Sequence, residues 1–528
     1  MGSTADSFDA PLNAAAALWD AVNSNNTGED HAEANAFEAP QISPPPAEAL
    51  AHVADLGAFI VASPSSYHAA AEIRDRAMAK GALLLSETEP WQVSPGGRYV
   101  VVRDGAAIMF QLPKEAGPET PFTIISTHLD SPGFKLKPHS SYENFGFLQA
   151  AVEVYGSPLL NSWLDRELEL AGRVVTKDGV SHLVRTGPML RIPQLAIHLD
   201  RSANDNLVLD KQKHMQPIWG LDKDSKVDVL ALLGAEHQYG GPIDPEMVAG
   251  YDVVTADTQA PRIFGDGNSL FAAGRLDNLL GSHAAVTAFL GTDPSDTKTI
   301  TMVAAFDHEE IGSNTRSGAG GTFLEHVLRR IAIALDGNAE DRMRNLAGSW
   351  HISCDVGHGV HPNYPERHDP HEHPLVGGGP ILKVNANQRY ATDAVSAALW
   401  NVACEEAQVP HQDYVSNNDI PCGSTTGPIT AARLGLRTVD CGAPILSMHS
   451  ARELCAVVDP WYLTKVMSKA LRRRSSGMDE FDLRNSDGDR LRNWLRKKRA
   501  ANQQAPNRGG YDGNPNNGYG AYYSSSEA

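Results

Sequence analysis

Short apolar runs typical of buried strands alternate with segments of helical periodicity along this chain. Strand-like runs occur at residues 122–126, 299–306 and 350–354, and apolar residues recur at helical spacing in 279–290 and 394–406. Because each such helix buries one apolar stripe against a sheet, the alternation predicts an α/β fold. We expect a mixed sheet with helices on both of its faces.

Composition divides the chain into segments. Residues 1–46 end in a proline cluster and carry one short amphipathic helix at 12–22, which either docks on its own chain or serves as a targeting peptide. Residues 135–262 mix valine-containing runs with Gly and Pro, which predicts an inserted β-rich domain. The α/β domain is therefore expected to be discontinuous, formed by residues 47–134 and 263–475.

Residues 476–528 combine a charged stretch with a tail rich in Gly, Asn, Ser and Tyr. Low hydrophobicity of this kind predicts disorder, because too little apolar surface is available for burial. The basic run at residues 496–499 is either a solvated face or a contact for an anionic partner.

Charge limits the classes of partner. Lys and Arg total 45 against 64 Asp and Glu, which gives a formal net charge of −19. Such a chain repels phosphate backbones and anionic lipid, so we expect neither nucleic acid nor membrane as a partner. Five cysteines without a CxxC pair, and an N-terminus that resembles no secretory or transit signal, predict a cytoplasmic protein. Delivery to a vacuole stays open.

Metal-binding residue types follow directly after predicted strands, and the loop after a fourth strand at 436–441 adds another. In chain order these candidates are His128, Asp130, Glu309, Glu310, Asp355 and His449. In open α/β sheets the carboxyl ends of strands share one edge, so these side chains are expected to converge. Imidazole and carboxylate without thiolate suit catalytic Zn²⁺ and tolerate Mn²⁺ or Co²⁺.

Several candidates have more than one interpretation. Asp130 could accept the free ring N–H of His128 and fix its tautomer. The adjacent Glu309 and Glu310 could divide proton transfer and metal binding between them. Asp277, just before an apolar helix, is either the N-cap of that helix or a further metal ligand.

The motifs that carry these residues occur together and in order: His128-x-Asp130, Gly274–Asn278, Asp307-x-Glu309-Glu310-x-Gly312-Ser313, Asp355 and Met448-His449-Ser450-x-Arg452-Glu453. This set resembles the aspartyl aminopeptidase family of zinc metallopeptidases over roughly residues 48–475. The resemblance implies a mixed-sheet metallopeptidase domain with an inserted β-rich dimerisation domain. It also implies twelve chains assembled from dimers.

The resemblance further implies two zinc ions per chain. Asp277 would bridge them, His128 and Asp355 would complete one site, and Glu310 and His449 the other. Glu309 would be the general base. The implied activity is removal of N-terminal Asp or Glu from peptides.

Three more residues are implied in substrate binding: Lys383, His198 and Met448. Lys383 would recognise the acidic side chain, since a cation in a dry pocket favours a carboxylate; the alternative is a surface lysine on a strand. His198 would reach a neighbouring chain's active site; the alternative is a buried core histidine.

Two rival functions stay open. One is a related two-metal hydrolase that prefers neutral or acyl-amino-acid substrates. The other is a non-catalytic assembly or cargo protein that keeps the fold. A histidine-rich loop could be a metal-binding tract or, as we favour, a loop on the substrate side; its members are His358, His361, His368, His371 and His373.

Overall fold

The computed structural model describes residues 44–222, 228–235 and 243–473. The helix predicted at 12–22 and the tail predicted at 476–528 lie outside these residues. None of the helices in the described ranges is long and apolar enough to cross a membrane.

The described part of the chain contains nine α-helices and twenty strands. The helices are α1 (Ala47–Ala62), α2 (Ser66–Ala79), α3 (Val229–Ala235), α4 (Leu276–Leu290), α5 (Phe323–Ala334), α6 (Ala339–Ala347), α7 (Ala394–Ala407), α8 (Thr426–Leu434) and α9 (Val458–Arg472). The first ten strands are β1 (Leu83–Leu84), β2 (Arg98–Arg103), β3 (Ala106–Gln111), β4 (Phe122–His128), β5 (Gly133–Asn144), β6 (Phe147–Tyr155), β7 (Leu168–Thr176), β8 (Ser181–Arg185), β9 (Ile218–Leu221) and β10 (Val248–Asp257). The others are β11 (Arg262–Phe264), β12 (Leu270–Ala273), β13 (Ile300–Phe306), β14 (Trp350–Cys354), β15 (Gly357–His358), β16 (Ile381–Lys383), β17 (Gln412–Tyr414), β18 (Arg437–Gly442), β19 (Pro444–Ile445) and β20 (Glu453–Ala456).

The larger sheet has nine strands in the order β1-β2-β3-β13-β4-β14-β18-β16-β17. Its central strands β13, β4, β14 and β18 are parallel to one another. Strands β3 and β16 flank them in antiparallel pairings. The sheet is therefore mixed, as predicted, and four parallel strands end at the same edge.

Helices cover both faces of this sheet. On one face, Phe323, Val327 and Ile331 of α5 pack in a buried cluster with Ile300 and Met302 of β13. On the other face, α4 packs against β4 and β13 and is itself covered by α1 and α9. This arrangement confirms the predicted fold class.

A second sheet of six strands has the order β8-β7-β10-β5-β6-β9, and all its pairings are antiparallel. It has its own buried cluster, in which Phe134, Trp163 and Val253 participate. All six strands fall between Gly133 and Asp257, close to the predicted β-rich segment.

Most of the predicted elements lie within a few residues of their expected ends. The strand predicted at 350–354 coincides with β14, and the helix predicted at 279–290 begins three residues earlier as α4. Helix α2 begins after Ser65, because Ser65 Oγ accepts the backbone N–H of His68 at 3.4 Å and caps the helix.

Candidate active site

The shared edge of the parallel strands brings the candidate ligands together. His128 is the last residue of β4, Asp355 follows β14, and Glu309 begins a short 3₁₀ turn after β13. Asp277 lies at the start of α4. Potential ligand atoms lie within 4.8 Å of one another in three overlapping groups: His128 with Glu309 and Glu310, His128 with Asp277 and Asp355, and Asp277 with Glu310 and His449.

The carboxylate of Asp277 lies between two imidazoles. Its Oδ1 is 3.1 Å from His128 Nε2, and its Oδ2 is 3.4 Å from His449 Nε2. Asp355 Oδ1 lies 3.4 Å from His128 Nε2 on one side, and Glu310 Oε2 lies 3.3 Å from His449 Nε2 on the other. Asp277 is not the N-cap of α4, because that position belongs to Arg275.

Main-chain oxygens orient both histidines. His128 Nδ1 lies 3.0 Å from the carbonyl oxygen of Asp130, and His449 Nδ1 lies 3.0 Å from that of Ser157. Because a carbonyl oxygen has no proton, each Nδ1 must donate, and each Nε2 faces the carboxylates. The expectation for Asp130 needs a correction. The carboxylate Oδ1 of Asp130 lies 3.5 Å from His128 Nδ1, so the carbonyl oxygen of Asp130 makes the closer contact with the ring.

The Asp130 carboxylate instead holds the turn that carries both glutamates. Its Oδ1 accepts the backbone N–H of Glu309 at 3.0 Å, and its Oδ2 accepts that of Glu310 at 3.1 Å. Oδ2 also accepts the hydroxyl of Tyr155 at 2.7 Å. Burial alone would raise the pKa of Asp130, but His128 and these hydrogen bonds lower it, so the group stays ionised.

Glu453 also holds the backbone of two site residues through its carboxylate. Its Oε2 accepts the backbone N–H of Asp277 at 2.9 Å, and its Oε1 accepts that of His449 at 2.8 Å. His449 has a left-handed backbone conformation (φ 66°), which costs an ordinary L-residue about 1–2 kcal/mol and needs such support. Glu453 belongs to the Met448–Glu453 motif, but no pattern in the sequence indicates that it contacts the backbone of Asp277.

The group of carboxylates suits a divalent metal. Burial raises the pKa of Glu309 to about 7, and Asp355 adds to this shift while His128 opposes it. Burial and then Asp277 raise the pKa of Glu310 as well. Three buried carboxylate oxygens of the site have no hydrogen-bond partner: Asp277 Oδ1, Glu310 Oε1 and Asp355 Oδ1. Oxygen and imidazole donors with an excess of negative charge and free acceptor atoms fit Zn²⁺.

Lys383 lies beside this group at the end of β16. Its side chain is buried, with only 2 % of the residue exposed, so the alternative of a surface lysine is wrong. Its Nζ donates to the carbonyl oxygen of Val356 at 2.8 Å and lies 4.0 Å from Asp355 Oδ2. The ring of Tyr390 packs 5.4 Å from the ammonium group.

Met448 lines a cavity of about 270 Å³ next to His449, together with Tyr414 and three histidines of the histidine-rich loop, His358, His361 and His368. Within the described ranges, the groups of three or more residues that could hold a metal contain none of these loop histidines. Three histidines of the loop thus border a cavity beside the candidate site, and a role on the substrate side stays a prediction.

His198 is not brought to this site in the single chain. It lies in an exposed turn after β8, so the alternative of a buried core histidine is wrong. Leu195, Ile197 and Leu199 around it are exposed as well, at 57 %, 46 % and 75 %.

The comparisons with known proteins agree with this geometry. A family described as "Aminopeptidase I zinc metalloprotease (M18)" matches residues 59–469. The chain belongs to the M18 family. It is 52 % identical over 417 residues to a probable M18 family aminopeptidase 2 of Streptomyces avermitilis, covering 78 % of this chain and 95 % of that protein. A protein of the same description from Streptomyces coelicolor is 48 % identical, with coverage of 79 % and 96 %.

Solved structures of M18 proteins have the same fold. Ape4, from a cryo-EM structure of its complex with Nbr1, is 36 % identical with a TM-score of 0.78, covering 82 % of this chain and 88 % of that one. The mApe1 dodecamer of S. cerevisiae is 28 % identical with a TM-score of 0.71, covering 81 % and 98 %. The M18 match confirms the family resemblance, so this M18 chain is a zinc metallo-aminopeptidase.

Proposed function

We propose that this aminopeptidase removes acidic residues, Asp or Glu, from the N-termini of peptides with two zinc ions per chain. The observation that carries the proposal is the Asp277 carboxylate, which presents one oxygen to each of two imidazoles. Two dications held about 3.5–4 Å apart need a shared anion between them. His128 and Asp355 complete one site, and Glu310 and His449 complete the other.

Glu309 is the general base in this proposal. When bound, the zinc ions polarise the scissile carbonyl and acidify the attacking water. Glu309 accepts the proton of that water as its oxygen attacks the carbonyl carbon. Glu309 then delivers the proton to the leaving nitrogen as the peptide C–N bond breaks. Asp130 keeps Glu309 in place through the backbone contact described above.

The proposed function also gives a role to each of the two domains predicted from the sequence. Residues 47–134 and 263–475 form the catalytic domain, and 135–262 form the domain that mediates oligomerisation. Cys354, Cys404, Cys422, Cys441 and Cys455 are all free thiols, which supports a reducing compartment such as the cytoplasm.

Lys383 supports the acidic preference, because it is a buried cation next to the ligand Asp355. One of its N–H groups is taken by Val356, which leaves donors for a substrate carboxylate. Met448 and the other residues that line the 270 Å³ cavity would contact the substrate as well.

We expect Lys383→Met to lower the preference for Asp over Leu N-termini, as a ratio of kcat/KM values, by about 10–100-fold. The range corresponds to a charged hydrogen bond of about 1.5–3 kcal/mol. If the substitution also disturbs the nearby ligand Asp355, kcat/KM should fall for both peptides alike, and the ratio would not change. Lys469→Met, a substitution of an exposed lysine in α9, is the matched control and should keep the wild-type ratio. An unchanged ratio in Lys383→Met would remove Lys383 from substrate recognition.

We also expect light scattering of the full chain to give the mass of twelve chains. The M18 dodecamer of S. cerevisiae and the exposed apolar side chains around His198 support this assembly. Leu199→Asp should shift the mass to smaller species, because it places a charge in an apolar contact. Met343→Asp is the matched control, since Met343 is exposed on α6 of the catalytic domain. A monomeric wild-type chain would contradict the proposal.

A further inference from the structure

Three consecutive residues at the end of β6 contact the candidate metal centre from the second sheet. Tyr155 donates its hydroxyl to Asp130 Oδ2 at 2.7 Å. The carbonyl oxygen of Ser157 accepts from His449 Nδ1 at 3.0 Å. Between these two residues, a Cβ built on Gly156 would lie 3.2 Å from Glu310 Cβ. The backbone of Gly156 therefore packs directly against Glu310. One short segment therefore contacts Glu310 and His449, and it also contacts Asp130, whose carbonyl oxygen orients His128.

The loop that carries His449 is attached to the same region of the chain. The N–H of Leu159 donates to the carbonyl oxygen of His449 at 2.9 Å. The N–H of Ala451 donates to Ser162 Oγ at 2.9 Å. With the contact from Ser157, the loop is held at three points by residues that directly follow β6.

Tyr155 acts through Asp130 on the turn that carries Glu309 and Glu310. Asp130 is 4 % exposed and holds the backbone N–H groups of Glu309 and Glu310. A hydrogen bond from a hydroxyl to an ionised carboxylate is short and strong, and it fixes the rotamer of the carboxylate. The position of the Glu309–Glu310 turn therefore depends on a hydroxyl group that belongs to the second sheet.

We propose that Tyr155-Gly156-Ser157 is a positioning segment through which the β-rich sheet sets the geometry of the metal centre, with Tyr155 as its main side chain. The inference rests on the metal ligands and base proposed above. It gives the β-rich sheet a role within one chain, besides the proposed contacts between chains, because the orientation of the ligands depends on it. Outer contacts of this kind typically change metal affinity or activity by about 10–100-fold when they are removed.

The test is Tyr155→Phe, with Tyr251→Phe as the matched control. Tyr251 lies in β10 of the same sheet, and its hydroxyl donates to the carbonyl oxygen of Lys137 at 2.6 Å, so the control also deletes one hydroxyl hydrogen bond. Zinc affinity of the metal-free protein is measured by competition with a chromogenic chelator, and kcat and KM are measured on an Asp-terminated peptide. We expect Tyr155→Phe to weaken zinc binding and lower kcat by about 10-fold or more, with KM within about twofold of wild type. Tyr251→Phe should match the wild type.

Gly156→Ala is the second variant, because it tests the segment without the hydroxyl. Gly156 has a φ of 67°, and the added methyl group would press on Glu310. We expect weaker zinc binding here as well. Combining Tyr155→Phe with Asp130→Asn should add little to the effect of Asp130→Asn alone, because the two groups act as a unit.

Equal zinc affinity and kcat in Tyr155→Phe and Tyr251→Phe would overturn the inference, as would a loss of thermal stability alone in Tyr155→Phe and Gly156→Ala. If the wild-type protein binds two zinc ions and hydrolyses the peptide while both variants behave normally, only this inference fails. If the wild-type protein does neither, the proposed function fails.

Discussion

Glu309→Gln is expected to lower kcat by about 10³-fold while the protein retains two zinc ions per chain, since general-base catalysis contributes about 10²–10⁴-fold. The amide has nearly the shape of the carboxylate but cannot accept the proton of the attacking water. The backbone N–H of Glu309 keeps its bond to Asp130, so the turn should stay in place. Steady-state kinetics on an Asp-terminated peptide, with elemental analysis of the same sample, measure both effects.

Two neighbouring substitutions show whether the effect belongs to Glu309. Glu310→Gln should lose zinc as well as activity, because Glu310 is assigned as a ligand. Glu340→Gln, at an exposed position in α6, should behave as wild type. Turnover close to that of the wild type in Glu309→Gln would mean that another group is the base.

Asp277→Ala is expected to release both zinc ions and to lower kcat/KM by about 10³-fold or more, since metal ions supply several kcal/mol of transition-state stabilisation. Both of its oxygens face an imidazole, so one substitution removes a ligand from each site. Asp277→Asn keeps one carbonyl oxygen and should therefore have an intermediate effect. Elemental analysis after gel filtration counts the ions that remain bound.

The number of zinc ions released should differ between Asp277→Ala and His449→Ala. His449 contacts one half of the centre, so its loss should release one zinc ion rather than two. Asp266→Ala removes an exposed carboxylate before β12 and serves as the control for general damage. Retention of two ions in Asp277→Ala would contradict the bridging assignment. The two half-sites would then be independent.

The sequence was sufficient for the elements that line the catalytic edge. The apolar runs before His128 and Asp355 form parallel strands because each is buried on both faces, which leaves a continuous apolar pattern. Their ends meet because parallel strands share an edge. The structure accordingly brings together all five proposed ligands and Glu309, although they are separated by up to hundreds of residues along the chain.

The sequence was insufficient where a contact depends on the path of the backbone. Tyr155 belongs to an alternating strand of the β-rich region, and no local pattern indicates that its hydroxyl reaches Asp130. Glu453 lies four residues after His449, but only the fold reveals that it also accepts from Asp277, 176 positions away. His198 occurs in an apolar run that resembles a core strand, yet the run is exposed in the single chain.

The carbonyl contacts to the two histidines have a consequence for natural variation. The groups that select the imidazole tautomers belong to the peptide backbone at Asp130 and Ser157, and backbone carbonyls are common to all amino acids. Substitution of Ser157 by another residue that accepts the same φ and ψ angles leaves the orientation of His449 intact. Substitutions of the side chain at position 157 are therefore compatible with an unaltered metal centre. An insertion or deletion that moves the backbone at Ser157 is not.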